Sequence, residues 1–285
     1  MTARGQLAFA HARVRAWKGR LLRRIDILPL LGTSADPDRT LEALGIGNEP
    51  FTGLLQLYQL LIQSYRDEAP LFRAMLRLHE IENVKLAWRA IVRRIDRSRW
   101  TPLWLLLGKL ASVEIGSVGN SLRDFVADLA KTPYGTIADR VMLAHGDDLA
   151  AAEMAFDRWA SAELLRTSAA LRKPARRLIE SIIRERDAQL FVRGEQSYGL
   201  SSGAIRTGAL IARSGEDPFA IRQERLRLCR RAFTDDPFQV APAIAVLLLY
   251  EEQLRGLTAL RERRGDDTLD EIVSKQLASS LMGVA

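Results

Sequence analysis

Apolar residues along this chain recur every three or four positions, the spacing of one helix face, and nowhere alternate for long enough to suggest a strand. Val14, Trp17, Leu21 and Ile25 form a first stripe. Ile81, Val84, Trp88, Ile91, Val92 and Ile95 form a second, with Glu82, Asn83, Lys85, Arg89 and Arg93 on its other flank. Tyr250, Leu254 and Leu257 continue the pattern late in the chain. Leu269, Ile272, Val273 and Leu277 make a last stripe, opened by Thr268 and Glu271 at capping-box spacing. The pattern predicts an all-α protein.

Punctuation agrees with this. Asp36-Pro37, Thr101-Pro102, Thr132-Pro133, Asp217-Pro218 and Asp236-Pro237 each place a capping side chain before a proline, a helix-start signal. Glycine-containing breaks at 44–48, 114–120, 194–203 and 265–267 are the expected connections. Many short and medium helices follow from this spacing, rather than a few long ones.

Three segments repeat one theme, an acid or amide beside a base and an apolar stripe. They are Glu82-Asn83-Val84-Lys85-Leu86-Ala87-Trp88-Arg89, Asp187-Ala188-Gln189-Leu190-Phe191-Val192-Arg193 and Glu251-Glu252-Gln253-Leu254-Arg255. Such recurrence predicts three pseudo-repeated helical lobes, at 1–98, 99–195 and a shortened 196–285. On a solvated face these polar residues would be ordinary i,i+3 pairs worth a few tenths of a kcal/mol. The alternative is that they pack against another lobe or a partner subunit. That reading makes Glu82, Asn83, Lys85, Arg89, Asp187, Arg193, Glu252 and Arg255 candidate interface residues.

Charge adds a polarity to the chain. Of a formal net charge of +7 over 285 residues, the first thirty carry seven bases against Asp26 alone. Arg13, Arg15 and Lys18 lie on this basic end, which suits anionic lipid or an acidic partner subunit. No zinc spacing or aromatic-basic strip accompanies it, so nucleic acid is not expected. The arginine-rich start lacks the apolar core of a secretory signal. The apolar runs at 100–107 and 241–250 fall short of the ~20 residues that span a bilayer. These features predict a cytoplasmic protein.

Candidate chemistry is sparse. Cys229 is the single cysteine, and it reads as a small buried apolar residue. His11, His79 and His145 are far apart, and Asn83 stands where a second histidine would complete His-Glu-x-x-His after His79. Asp147-Asp148 reads as the acidic start of a helix. No nucleophile elbow, phosphate loop or dinucleotide fingerprint is present. Catalytic, cofactor and metal residues are therefore all expected to be none.

Four segments, in order, are similar to the C subunit of V/A-type rotary ATPases, called subunit d in the eukaryotic vacuolar enzymes. Phe9–Leu22 resembles that family's opening aromatic-Ala-x-Ala-Arg-Val-Arg helix. Glu80-Ile81-Glu82-Asn83-Val84-Lys85 resembles its acidic-x-x-Asn-Leu-Lys helix. Leu129-Ala130-Lys131-Thr132-Pro133-Tyr134-Gly135 resembles its Leu-x-x-Thr-x-Tyr-Gly helix start. Glu251–Arg255 resembles its late Glu-Ile-x-Asn-Leu-Arg segment, with Gln253 in place of asparagine. The resemblance implies a funnel of three lobes without catalytic residues. It implies partners in the central-stalk subunits and the membrane proteolipid ring, with torque passing between them for ion transport. It also implies a peripheral place on the cytoplasmic face of the inner membrane. The competing expectation is a free-standing helical-repeat adaptor that binds an acidic protein or RNA through residues 1–30.

Overall fold

A computed structural model describes residues 3–21, 50–101, 104, 121–198, 216–234 and 239–262. The described residues form helices and turns without a strand, as the periodicity predicts. The predicted starts at Asp36 and Asp236, the breaks at 44–48, 114–120 and 265–267, and the stripe after Thr268 lie outside the described residues. So do Ile25 and residues 199–203, while 194–198, expected to begin a connection, continue the helix that ends at Tyr198.

The helices are α1 (Ala3–Lys18), α2 (Pro50–Ser64), α3 (Ala69–Val92), α4 (Arg97–Trp100) and α5 (Leu122–Leu129). They continue with α6 (Gly135–His145), α7 (Leu149–Ser168), α8 (Lys173–Tyr198), α9 (Pro218–Ala232) and α10 (Ala241–Glu262). Two compact units result, each built from stretches that are not consecutive in the chain. Unit 1 takes residues 1–69, 171–182 and 217–285, and unit 2 takes 70–170 and 183–216. The expected divisions after residues 98 and 195 fall inside α4 and α8.

Unit 1 is organised on α10, whose first turns, Ala241 to Leu249, are buried almost without interruption. A helix buried around its whole circumference is a core element rather than a surface one. α1, α2 and α9 pack on it. Trp17 of α1 meets Tyr250 edge-to-face at 5.6 Å, and the same ring fills the space above Gly53 of α2. Asp217 accepts from the Phe219 and Ala220 amides at 2.9 and 3.2 Å, so the predicted Asp-Pro start opens α9. Cys229 is fully buried, and burial pushes its thiol up to about 12, leaving it an inert filler at neutral pH.

In unit 2 the central element is α3, buried on most of its circumference from Leu71 to Ala90. Trp88 meets Phe156 at 5.2 Å and Phe125 at 6.5 Å, both edge-to-face, tying α3 to α7 and α5. The helix stops earlier than its apolar stripe suggests. Ile95 N–H donates to Ala90 O at 2.8 Å and Arg94 N–H to Ile91 O at 3.1 Å, the two bonds of a Schellman motif. Arg94 takes the left-handed position at φ 52°, and Ile95 emerges 37% exposed instead of continuing the stripe.

The Thr132-Pro133 signal marks a turn rather than a cap. Thr132 Oγ1 donates to Leu129 O at 2.7 Å and accepts from the Tyr134 amide at 3.1 Å, closing α5 before α6 begins at Gly135. Asp148, by contrast, caps α7 by accepting from Ala151 N–H at 3.1 Å, as the acidic pair predicts.

The α5–α6 turn explains a specific glycine. A Cβ on Gly135 would sit 2.7 Å from Ala130 Cα and 2.9 Å from Leu129 O, both main-chain atoms that cannot swing aside. Gly135→Ala should therefore destabilise the protein by about 1–3 kcal/mol, the usual cost of forced overpacking. The checking measurement is the denaturant midpoint; an unchanged midpoint would mean that the turn relaxes freely.

Candidate functional site: the ion pairs of the repeated helices

Unit 2 carries a ladder of ion pairs between α3 and α7. Arg77 Nη1 donates to Glu163 Oε1 at 2.8 Å. Lys85 Nζ donates to Asp157 Oδ1 and Oδ2 at 2.8 and 3.0 Å. Arg89 Nε and Nη2 donate to Glu153 Oε1 at 2.9 and 2.6 Å. As the position on α3 advances, the partner on α7 retreats, so the ladder specifies an antiparallel register.

The middle rung extends into a ring of four charges. Lys85 Nζ also lies 2.9 Å from Glu82 Oε2, while Arg186 Nη2 of α8 reaches Glu82 Oε1 at 2.9 Å and Asp157 Oδ1 at 2.7 Å. Two cations and two carboxylates thus balance within one site. The Lys85 and Asp157 side chains are only 1% and 3% exposed, whereas Glu82 is 44% exposed at the rim. Burial by itself would raise the Glu82 carboxyl, but Lys85 and Arg186 outweigh it and hold the group near 2. With so much of Glu82 in solvent, the ion pairs rather than desolvation set that direction.

Beside the ring, Tyr134 donates its hydroxyl to the buried Glu80 Oε2 at 2.5 Å. Burial, then the Glu80 charge, pushes the phenol far up, so it stays a donor. Unit 1 contains a related pair of contacts. Tyr58 donates to the buried Glu251 Oε1 at 2.8 Å. Arg222 of α9 grips Glu252 with Nε at 2.8 Å and Nη2 at 2.7 Å, and Arg225 stands 3.9 Å away. Such forked pairs fix orientation as well as charge.

The sequence-predicted interface residues divide by burial. Asn83, Lys85, Asp187 and Glu252 are buried inside their own units, at 1–2% exposed. Arg89 is half-buried on Glu153. Arg15 and Arg255 are exposed, and Arg13 and Lys18 are half-exposed. Arg13 lies over the Phe9 ring at 4.6 Å and Lys18 over Phe233 at 4.4 Å. Arg193 belongs to α8, and its side chain lies outside the described residues.

Sequence reasoning missed Glu153, Asp157, Glu163 and Arg186. The available signal was on α7, where Glu153 and Asp157 stand four apart and flank Phe156 on an otherwise apolar face. Carboxylates in that position require cations on the facing helix.

The arrangement holds helices together. Among the described residues no group of three or more His, Cys, Asp or Glu side chains could hold a metal ion. A sequence model for the family described as ATP synthase (C/AC39) subunit matches residues 52–208. The chain belongs to that family. The matched stretch covers more than half of the chain and includes every rung of the ladder, the Glu80–Lys85 segment and the Leu129–Gly135 turn. No curated protein sequence matches the chain. Membership makes it a subunit of a V/A-type rotary ATPase, in a family of non-catalytic subunits. Among the described residues no helix is long and apolar enough to cross a membrane.

Two predictions test the ring. Lys85→Met strips the buried carboxylate of one partner while Arg186 remains. It should cost about 3 kcal/mol in denaturant unfolding, the lower end for breaking a buried pair. The second concerns pH. Because the folded Glu82 carboxyl, near 2, lies below its ordinary 4.5, its contribution is complete above 4.5 and is lost as pH falls towards 2. Glu82→Gln should lower stability by a constant amount above pH 4.5 and flatten the profile only between 4.5 and 2; an altered slope above pH 5 would contradict the assignment.

Proposed function

We propose that this subunit couples the central stalk of a V/A-type ATPase to the membrane proteolipid ring and transmits torque between them. In this reading it performs no catalysis and works as a body of three pseudo-repeated helical lobes. It sits peripherally on the cytoplasmic face of the membrane. The observation that carries the reading is the antiparallel ladder of Arg77, Lys85 and Arg89 on α7, within the part of the chain that defines the family. Apolar helix faces tolerate small slips, whereas ion pairs at three levels, one buried and two half-buried, do not, since a slip strands charges without partners. Resistance to shear is what a torque-transmitting part needs.

Burial refines which residues meet partners. The proposed contact residues are Arg13, Arg15, Lys18 and Arg255 in unit 1 and, separately, Glu82 in unit 2, whose side chains reach solvent at least in part. Asn83, Lys85, Asp187 and Glu252 support their own units from within.

The test is assembly of the full chain with the central-stalk subunits and the proteolipid ring, followed by co-purification. The wild-type chain should bind both and should not hydrolyse ATP alone. Arg13→Glu/Arg15→Glu should weaken assembly at least about tenfold. The change in Tm should stay within roughly 4 °C, as expected of one exposed and one half-exposed position. Equal loss of stability and assembly would make the two arginines structural, and coupling that persists in a complex without this subunit would overturn the role.

A further inference from the structure

A cleft of about 180 Å³ opens in unit 1 between the start of α8 and the end of α9. Lys173, Arg177 and Arg231 line it over a floor of Pro174, Leu228 and Ala232. All three cations are exposed, and none has a carboxylate partner among the described residues. Arg176, one position from the cleft, shows the contrast by pairing with Glu180 at 3.0 Å.

The sequence of α8 works against its own helix here. A helix start carries partial positive charge and favours acids, each worth about 0.3–1 kcal/mol. Yet α8 opens with no acid in its first turn, and Lys173, Arg176 and Arg177 crowd its first five positions. Arg231 has an ordinary reason to be where it is, since cations suit the last turn of α9. Lys173, the first residue of α8, has none within the helix. Three exposed cations from two helices line one concave space, and one of them, Lys173, stands at a helix start that disfavours it.

We propose that this cleft binds a phosphate group, supplied by an anionic phospholipid headgroup or by free phosphate. Its volume suits a single tetrahedral oxyanion. Arg177 and Arg231 would contribute planar donor forks and Lys173 a point charge. The apolar floor of Pro174, Leu228 and Ala232 accommodates the carbon attached to an esterified phosphate. This site adjoins the α1 contact residues, since Lys18 lies over Phe233 next to Ala232, but it does not depend on the coupling role.

The experiment compares the full chain with Arg177→Gln/Arg231→Gln, and with a control, Arg123→Gln/Arg140→Gln, that removes equal charge from exposed positions of unit 2. Binding to phosphatidylglycerol vesicles is read by flotation against phosphatidylcholine vesicles, and binding of inorganic phosphate and pyrophosphate by calorimetry. The cleft variant should lose at least about tenfold in affinity for whichever probe binds, while the control keeps it and all three proteins melt alike. Loss confined to vesicles assigns the headgroup as the source; loss confined to the soluble anions assigns free phosphate. The proposal is overturned if neither probe binds, if the cleft variant binds as the wild type does, or if the control loses as much.

Discussion

A lysine ammonium buried against a carboxylate admits few arrangements, and Lys85 on Asp157 is the contact on which unit 2 turns. With Lys85 1% exposed, its charge has no recourse to water, so the α3 and α7 backbones must bring the two groups within 3 Å. Breaking that distance would take a partner from each of two buried charges, a loss of several kcal/mol in all. Hydrophobic burial drives the helices together, but Trp88, Phe125 and Phe156 would tolerate several registers. The pair selects one. Arg77–Glu163 and Arg89–Glu153 repeat the selection at other levels of α3. Arg186 brings α8 to the same address.

The repeated segments reach a similar end with reversed polarity. In Glu82-Asn83-Val84-Lys85 the base is buried and the acid stands at the rim, 44% exposed. In Glu252-Gln253-Leu254-Arg255 the acid is buried at 2% and Arg255 is the 47% exposed member. Arg222 then supplies the cation from α9 that Lys85 supplies from within its own helix. Each segment also has a tyrosine donating to a buried glutamate close by, Tyr134 to Glu80 and Tyr58 to Glu251. What recurs is a physical requirement, a buried charge answered from another helix, rather than a fixed order of residue types.

This distinction explains what was legible in the sequence. The all-α class followed from periodicity, and the Asp217-Pro218 and Asp147-Asp148 starts followed from local capping chemistry, because both depend on neighbours in the chain. The stop of α3 did not, since Arg94 occupies a left-handed position that usually advertises itself as glycine. Nor did the burial of Lys85 and Asn83, which lie on what reads as the polar flank of an amphipathic helix. The environment of Lys85 and its neighbour Glu82 is set by α7 and α8, about 70 and 100 positions away. The grouping of residues 171–182 with 217–285 is similarly invisible locally, because α8 runs unbroken through residue 182.

The same logic bears on how such a subunit can be stiff without being a single long bundle. A helix sliding along an apolar neighbour can settle again one turn away, about 5.4 Å on, where ridges and grooves match once more. A charge ladder closes that route only if its rungs are unevenly spaced. Arg77 and Lys85 are eight positions apart, while Lys85 and Arg89 are four apart. A one-turn slip of α3 in one direction would carry Arg89 to the level of Asp157. It would at the same time carry Lys85 to the level of Ser161 and Arg77 past Glu163, so the slipped state keeps one rung in register and breaks the other two alignments. The coupling role proposed for this chain asks for a body that yields little along its helices under load, and unequal rungs supply that resistance from side chains alone.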